Sequence, residues 1–152
     1  MLKLLVADDE RILREAVCYL IDWKSIGIEL AASCKNGREA YEEACRTKPD
    51  IILTDIKMPG LSGLDLVEKL SEPGRVLEFI LLTGYADFEY AHRALSHRVH
   101  HYLLKPCNEQ QIIEAVQQAA QSIYTRRQLQ QMEPTCAGVA RPEYSEGGLA
   151  KM

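Results

Sequence analysis

Short apolar runs alternate with helical patterns along most of this 152-residue chain. Five runs, several with almost no polar residue, predict strands covered on both faces: residues 2–7, 30–34, 51–54, 79–83 and 101–104. Five segments repeat apolar residues every three or four positions and predict helices: residues 10–21, 38–47, 64–71, 88–97 and 109–131. Four of these helices follow a predicted N-cap residue, namely Asn36, Ser62, Asp87 and Asn108. The alternation predicts a doubly wound α/β domain with right-handed crossovers.

The last predicted helix changes character along its length. Its apolar stripe runs from Ile112 to Ile123 and gives way to the polar sequence TRRQLQQ, and prolines and glycines become frequent after Met132. We therefore predict one domain over residues 1–125 and a helix extension with a flexible linker or tail over residues 126–152.

Composition and charge exclude several classes of function. The net charge is -4 and no run of Lys and Arg occurs, so we do not expect this segment to bind nucleic acid directly. Acidic residues follow the short apolar start at once, which is unlike a signal peptide, and no apolar stretch is long enough to span a membrane. The five cysteines form an odd set without a CxxC pair, which favours reduced thiols in a cytoplasmic protein.

Chemically active side chains follow the ends of four predicted strands. These are Asp8 and Asp9 after the first strand, Asp55 after the third, Thr83 at the end of the fourth and Lys105 after the fifth. Because ligands of open parallel sheets bind outside the carboxyl ends of the strands, we expect these side chains to converge. Each alone is explained as a helix cap or a solvated loop charge, but their shared position indicates a site.

Three neighbouring carboxylates repel one another unless a cation offsets their charge. Oxygen ligands favour Mg²⁺, which binds one or two carboxylates together with phosphate oxygens. A carboxylate beside such a metal can act as a nucleophile and form an aspartyl phosphate. Lys105 would add positive charge, and Thr83 would add a hydroxyl donor.

Four motifs carry a family resemblance. VADDE at 6–10, DIKMPGLSG at 55–63, LLTGY at 81–85 and YLLKP at 102–106 resemble the response-regulator receiver domains of two-component systems. DWKSIG at 22–27 and GYADFEYAHRAL at 84–95 are similar to receivers that precede AraC-type (YesN-like) output domains. The resemblance implies a flavodoxin-like (CheY-like) fold, with a five-stranded parallel sheet of order 2-1-3-4-5 and five helices.

The resemblance also implies a role for each site residue. Asp55 would be the phosphoacceptor, and Mg²⁺ would be held by Asp9, by Asp55 and by the backbone carbonyl of Lys57, with Asp8 acting through water. Thr83 would contact the phosphoryl group and move toward it, and Tyr102 would be the switch aromatic. Lys105 would pair with a phosphoryl oxygen, and the bond from Lys105 to Pro106 would be cis.

The partners implied by the resemblance are proteins. A sensor histidine kinase would supply the phosphoryl group, and the domain would catalyse only its own phosphorylation and dephosphorylation. Phosphorylation would promote a homodimer through the fourth helix, fifth strand and fifth helix, roughly residues 87–124. DNA would be bound by an AraC-type output domain that these 152 residues do not include.

Two alternatives to a phosphorylated receiver stay open. Haloacid-dehalogenase-type phosphatases use a similar residue set, but they require DxDxT/V after the first strand, where this chain has VADDE. A degenerate receiver would bind partners without being phosphorylated.

Two sequence features are unexplained by the resemblance. Arg98 stands where related receivers usually carry a glycine that relieves strain at a helix end. Four histidines, at 92, 97, 100 and 101, lie within ten residues, and we expect solvated side chains there more than a metal site.

Overall fold

A computed structural model describes residues 1–72, 74–84, 87, 89, 92, 99 and 101–139, with side chains described as far as residue 130. The strands are β1 (Leu2–Ala7), β2 (Ile28–Cys34), β3 (Ile51–Asp55), β4 (Glu78–Thr83) and β5 (His101–Leu104). The helices are α1 (Arg11–Tyr19), a 3-10 turn (Trp23–Ile26), α2 (Gly37–Thr47), α3 (Gly63–Leu70) and the C-terminal helix (Glu109–Val139).

All five strands pair in parallel in the order β2-β1-β3-β4-β5, which confirms the predicted sheet. Alternate side chains of each strand enter one of two apolar cores. Leu4, Leu53 and Ile80 pack with α1 and the C-terminal helix on one face, whereas Leu5 and Ile52 pack with α2 and α3 on the other. Both faces are therefore buried, which explains why the strand sequences are apolar almost throughout.

Local side-chain bonds begin three of the helices as predicted. Asn36 accepts from the Glu39 backbone N–H at 2.7 Å at the start of α2, and Ser62 forms a capping box with Asp65 at the start of α3. At the C-terminal helix, the Asn108 side chain accepts from the Gln111 N–H, and the Gln111 side chain accepts from the Asn108 N–H, each at 2.8 Å. These bonds set where each chain segment turns away from a strand end.

Two helices differ from the prediction by more than one residue at an end. α1 is shorter than predicted, since it begins at Arg11 and ends at Tyr19. The C-terminal helix continues to Val139, eight residues past the predicted end and through Pro134. Once a helix is nucleated each further residue is added at little cost, so the lapse of the apolar stripe did not mark its end.

Part of the prediction lies outside the described residues. This applies to most of the predicted fourth helix, to Arg98 and to residues 140–152, so the structure describes four of the five predicted helices, besides the 3-10 turn. Within the described ranges, no helix combines the length and apolar character needed to cross a membrane. The four cysteines whose side chains are described are free thiols.

Candidate functional site at the carboxyl ends of the strands

Three carboxylates meet where β1 and β3 end. The oxygens of Asp8, Asp9 and Asp55 lie within 4.8 Å of one another, as the sequence predicted. Asp8 and Asp55 are buried, whereas Asp9 is exposed. Gly63 allows this arrangement because a Cβ there would lie only 2.5 Å from the Asp55 carbonyl oxygen, so α3 can begin directly against the end of β3.

Lys105 brings a positive charge to the same carboxylates. Its Nζ lies 2.8 Å from Asp55 Oδ2 and 3.5 Å from Asp8 Oδ2. The Lys105 backbone N–H donates to the Thr83 carbonyl at 2.8 Å, which fixes the lysine beside the end of β4. The following bond, to Pro106, is cis as predicted.

Glu10 is a member of this site that the sequence analysis missed. Its Oε1 lies 3.2 Å from Lys105 Nζ, and its backbone N–H donates to Asp8 Oδ1 at 2.9 Å. The available signal was the third acidic residue of the run Asp8-Asp9-Glu10, to which the sequence analysis gave no role at the site. Lys105 therefore contacts three carboxylates and does not neutralise them.

The electrostatic environment reflects this excess of negative charge. Burial raises the pKa of Asp8, and the charges of Asp55 and Glu10 raise it further, while the Glu10 N–H and Lys105 partly oppose the shift. For Lys105, burial alone would lower the pKa, but the hydrogen bond to Asp55 and the charges of Asp55 and Asp8 outweigh it and raise the pKa. Lys105 is therefore a permanent cation at neutral pH.

The donor set fits a hard divalent cation. All three clustered side chains offer carboxylate oxygens, which Mg²⁺ and Ca²⁺ prefer, and none offers sulfur or imidazole nitrogen. Lys57 lines a groove of about 570 Å³ that also borders Asp9, and its ammonium group lies 3.5 Å from Asp87. The groove thus brings the Lys57 loop alongside Asp9, and the predicted role of the Lys57 carbonyl as a metal ligand stays a prediction.

Thr83 and Tyr102, the two predicted switch residues, make contacts outside the carboxylate cluster. The buried Thr83 hydroxyl donates to the Gly84 carbonyl at 3.1 Å. The Tyr102 ring lies 5.2 Å from the His92 ring, tilted by 52°. Burial raises the pKa of the Tyr102 hydroxyl. Thr83 is the last residue of β4, whereas Tyr102 is the second residue of the adjacent strand β5, and their predicted movement stays a prediction.

The histidines separate into different environments where they are described. His92 is exposed. His101 is the first residue of β5, and its Nε2 lies 3.1 Å from Glu78 Oε1. His97 and His100 lie outside the described residues.

Residues 4–117 match the response regulator receiver domain, and the chain belongs to this family. It is 48% identical over 118 residues to an uncharacterized transcriptional regulatory protein, YesN, of Bacillus subtilis. That match covers 78% of this chain and 32% of YesN, so the chain spans about a third of that relative's length.

Two solved structures extend the comparison. The receiver (REC) domain of the response regulator AraT from Geobacillus stearothermophilus is 36% identical, with a TM-score of 0.75 over 83% of this chain and 98% of that one. A two-component transcriptional regulator, AraC, from Clostridium phytofermentans is 28% identical, with a TM-score of 0.77 over 84% and 98%. The chain is thus a receiver domain of the type found in transcriptional response regulators.

Proposed function

We propose that Asp55 accepts a phosphoryl group in a Mg²⁺-dependent reaction and that the modification switches a signalling surface. The observation that carries this proposal is the 2.8 Å contact between Asp55 Oδ2 and Lys105 Nζ, inside a cluster of carboxylates that one lysine does not neutralise. Family membership supports it, since receiver domains are signalling modules.

The residues divide the work of phosphoryl transfer. Asp9, Asp55 and the Lys57 carbonyl would hold Mg²⁺, with Asp8 acting through water, and the bound ion would supply positive charge for the phosphoryl oxygens. An Asp55 oxygen forms the new bond to phosphorus while the bond to the donor's leaving group breaks, which leaves an acyl phosphate. Lys105 neutralises charge on the phosphoryl oxygens, and the Thr83 hydroxyl turns from Gly84 to donate to one of them.

A histidine kinase is the proposed donor, and α1 supports a protein partner. Four apolar side chains on or next to this helix are exposed, namely Ile12, Leu13, Tyr19 and Leu20. A groove of about 430 Å³ runs between α1 and the C-terminal helix and reaches Asp8, Glu10 and Lys105. An apolar surface that is continuous with the acidic site suits a protein that must bring its phosphohistidine to Asp55.

The proposed output is dimerisation that positions a DNA-binding domain. A new charge at Asp55 is sensed at a distance only if it biases a two-state element, and Thr83 and Tyr102 lie on adjacent strands leading to the proposed face. That face includes the predicted fourth helix, most of which lies outside the described residues. Control of transcription is proposed because YesN, of which the chain spans 32%, is a transcriptional regulatory protein.

A phosphodonor assay separates this proposal from its rivals. Acetyl phosphate with Mg²⁺ should add one phosphoryl group to the intact chain, as measured by mass spectrometry, and Asp55→Asn should abolish the addition. Asp22→Asn, an exposed aspartate away from the site, is the matched control. Continuous release of free phosphate without a stable adduct would instead indicate a phosphatase, and neither outcome would indicate a degenerate receiver.

The output has its own test. Analytical ultracentrifugation over a concentration series should show more dimer with beryllofluoride and Mg²⁺ than without. A chain that stays monomeric in both states at high concentration would exclude homodimerisation as the output.

A further inference from the structure

A second group of charged residues lies at the amino edge of the sheet, opposite the phosphorylation site. Glu78, the first residue of β4, is only 3% exposed and forms an ion pair with Arg126 of the C-terminal helix. His101, the first residue of β5, places its Nε2 3.1 Å from the other Glu78 oxygen. One buried carboxylate therefore joins two strands and a helix.

The same turn of helix makes two further contacts with this edge. Arg127 lies 2.6 Å from Asp50 Oδ1, while Asp50 Oδ2 accepts from the Lys3 backbone N–H at 2.9 Å. The Gln130 side chain donates to the Gly74 carbonyl at 3.2 Å. The polar sequence TRRQLQQ, predicted as a helix extension beyond the domain, thus contacts the amino edge of the sheet and the loop at Gly74.

Glu78 is the central member of this group because both of its oxygens are used. Burial would raise its pKa, but the hydrogen bond from His101 and the charge of Arg126 outweigh burial and lower it. A buried carboxylate that loses a charged partner such as Arg126 loses much of what compensates its desolvation. The position of the helix at Arg126 is therefore coupled to the positions of β4 and β5.

These two strands also carry the residues that would respond to phosphorylation. β4 begins at Glu78 and ends at Thr83, and β5 begins at His101, continues through Tyr102 and leads to Lys105. Each strand spans roughly 13–20 Å at about 3.3 Å per residue. β4 is a fully buried inner strand, and β5, the half-buried outer strand, pairs with it along its whole length, so the two strands together connect the two edges.

We propose that Glu78, through Arg126 and His101, is a positioning residue that couples the β4 and β5 strands to the C-terminal helix beyond Ile123. A shift of Thr83, Tyr102 or Lys105 at the carboxyl edge would move the anchored helix turn at the amino edge. The coupling rests on the proposed phosphorylation of Asp55, whereas the anchoring of the helix does not.

Hydrogen–deuterium exchange on the full 152-residue chain tests both parts. Without ligand, Arg126→Gln should speed amide exchange in the helix around residues 124–130 by about tenfold. Losing the hydrogen bond to the charged Glu78 should raise the population of the locally open helix by about that factor. Exchange in β1 and β3 should be unchanged. Arg126→Lys should restore part of the protection, and Arg46→Gln, which breaks an ion pair within α2, is the matched control.

Beryllofluoride with Mg²⁺ then tests the coupling. In the wild-type chain it should change exchange both in the loop around residues 56–61 and in the helix around residues 124–130. In Arg126→Gln the loop response should persist and the helix response should be lost. A helix response that survives in Arg126→Gln would overturn the coupling, and basal helix exchange equal to that of Arg46→Gln would overturn the anchoring. A wild-type loop that does not respond would instead refute the proposed function.

Discussion

Both edges of the sheet bring acidic and basic side chains together, but the two edges differ in charge balance. At the carboxyl edge, Lys105 contacts Asp8, Glu10 and Asp55, and Asp9 adds a further carboxylate. At the amino edge, Glu78 has His101 and Arg126 as partners, and Asp50 has Arg127. Negative charge is in excess at the first edge and is matched at the second.

This difference separates a functional site from a structural one. Buried like charges raise the free energy of the folded state unless a ligand offsets them, so an unbalanced cluster indicates a cation and a reaction. Paired charges need no ligand, and their contribution is to hold one element in a single position on another. The comparison can be tested by removing charges at each edge in turn.

The largest expected effect is on the rate of phosphorylation when Lys105 is changed. Lys105→Ala should slow labelling by acetyl phosphate roughly 100-fold, since removing one positioned donor to a developing oxyanion has effects of that order. Lys24→Ala, on the exposed surface of the 3-10 turn, should leave the rate unchanged. Time courses by intact-protein mass spectrometry measure both, and equal rates for the two variants would remove Lys105 from the reaction.

At the amino edge the largest expected effect is on stability. Glu78→Gln should lower the free energy of unfolding by about 2 kcal/mol, because it removes the charge from the acceptor of the Arg126 and His101 hydrogen bonds. Glu43→Gln, which breaks the exposed pair with Arg46, should have no measurable effect. Urea unfolding gives both values, and a Glu78→Gln midpoint equal to that of Glu43→Gln would show that this edge is not a structural anchor.

Removing a carboxylate from the carboxyl edge should raise the stability of the metal-free chain. Asp8→Asn should stabilise the metal-free fold by roughly 1 kcal/mol, a typical size for a single substitution, because it relieves buried like charge. Added Mg²⁺ should stabilise the wild-type chain more than the variant. Thermal unfolding with chelator and with Mg²⁺ is the measurement, and destabilisation of the metal-free Asp8→Asn chain would contradict the charge excess.

The smallest expected effect is a difference in pH dependence. The pKa of Asp8 is raised in the folded state, so its contribution to stability declines as pH rises from its ordinary 3.8 through the folded value. The pKa of Glu78 is lowered, so its contribution is present above its ordinary 4.5 and is lost as pH falls through the folded value.

Thermal unfolding between about pH 3 and pH 6 should therefore show opposite slopes at the two edges. The difference between wild type and Asp8→Asn isolates the first slope, and the difference between wild type and Glu78→Gln isolates the second. Slopes of the same sign would refute one of the two assignments.

The carboxyl edge could be predicted because strand ends are visible in the sequence. A run such as IILTD indicates a buried strand, and parallel strands bring Asp8, Asp55 and Lys105 to one edge whatever their order. The order of the strands in the sheet could not be predicted in this way, because periodicity does not determine it. The correct order came from the family resemblance.

The amino edge could not be predicted for a physical reason. Arg126 and Glu78 are 48 residues apart, and nothing local distinguishes an arginine that anchors a helix from one that is solvated. Glu10 was missed in the same way, because its contact with Lys105 spans 95 residues. Long-range ion pairs depend on the exact position of each helix and strand in the folded chain. The apolar pattern predicts which faces of these elements are buried but not those positions.

The central claim is that Asp55 is the one carboxylate of this crowded edge that becomes phosphorylated. After treatment with acetyl phosphate and Mg²⁺, borohydride reduces an acyl phosphate to an alcohol, and peptide mass spectrometry then locates the altered residue. We expect the change at Asp55 alone, with Asp8, Asp9 and Glu10 unmodified. Modification of one of those three residues, or an unmodified Asp55 in a chain that carries phosphate, would contradict the claim.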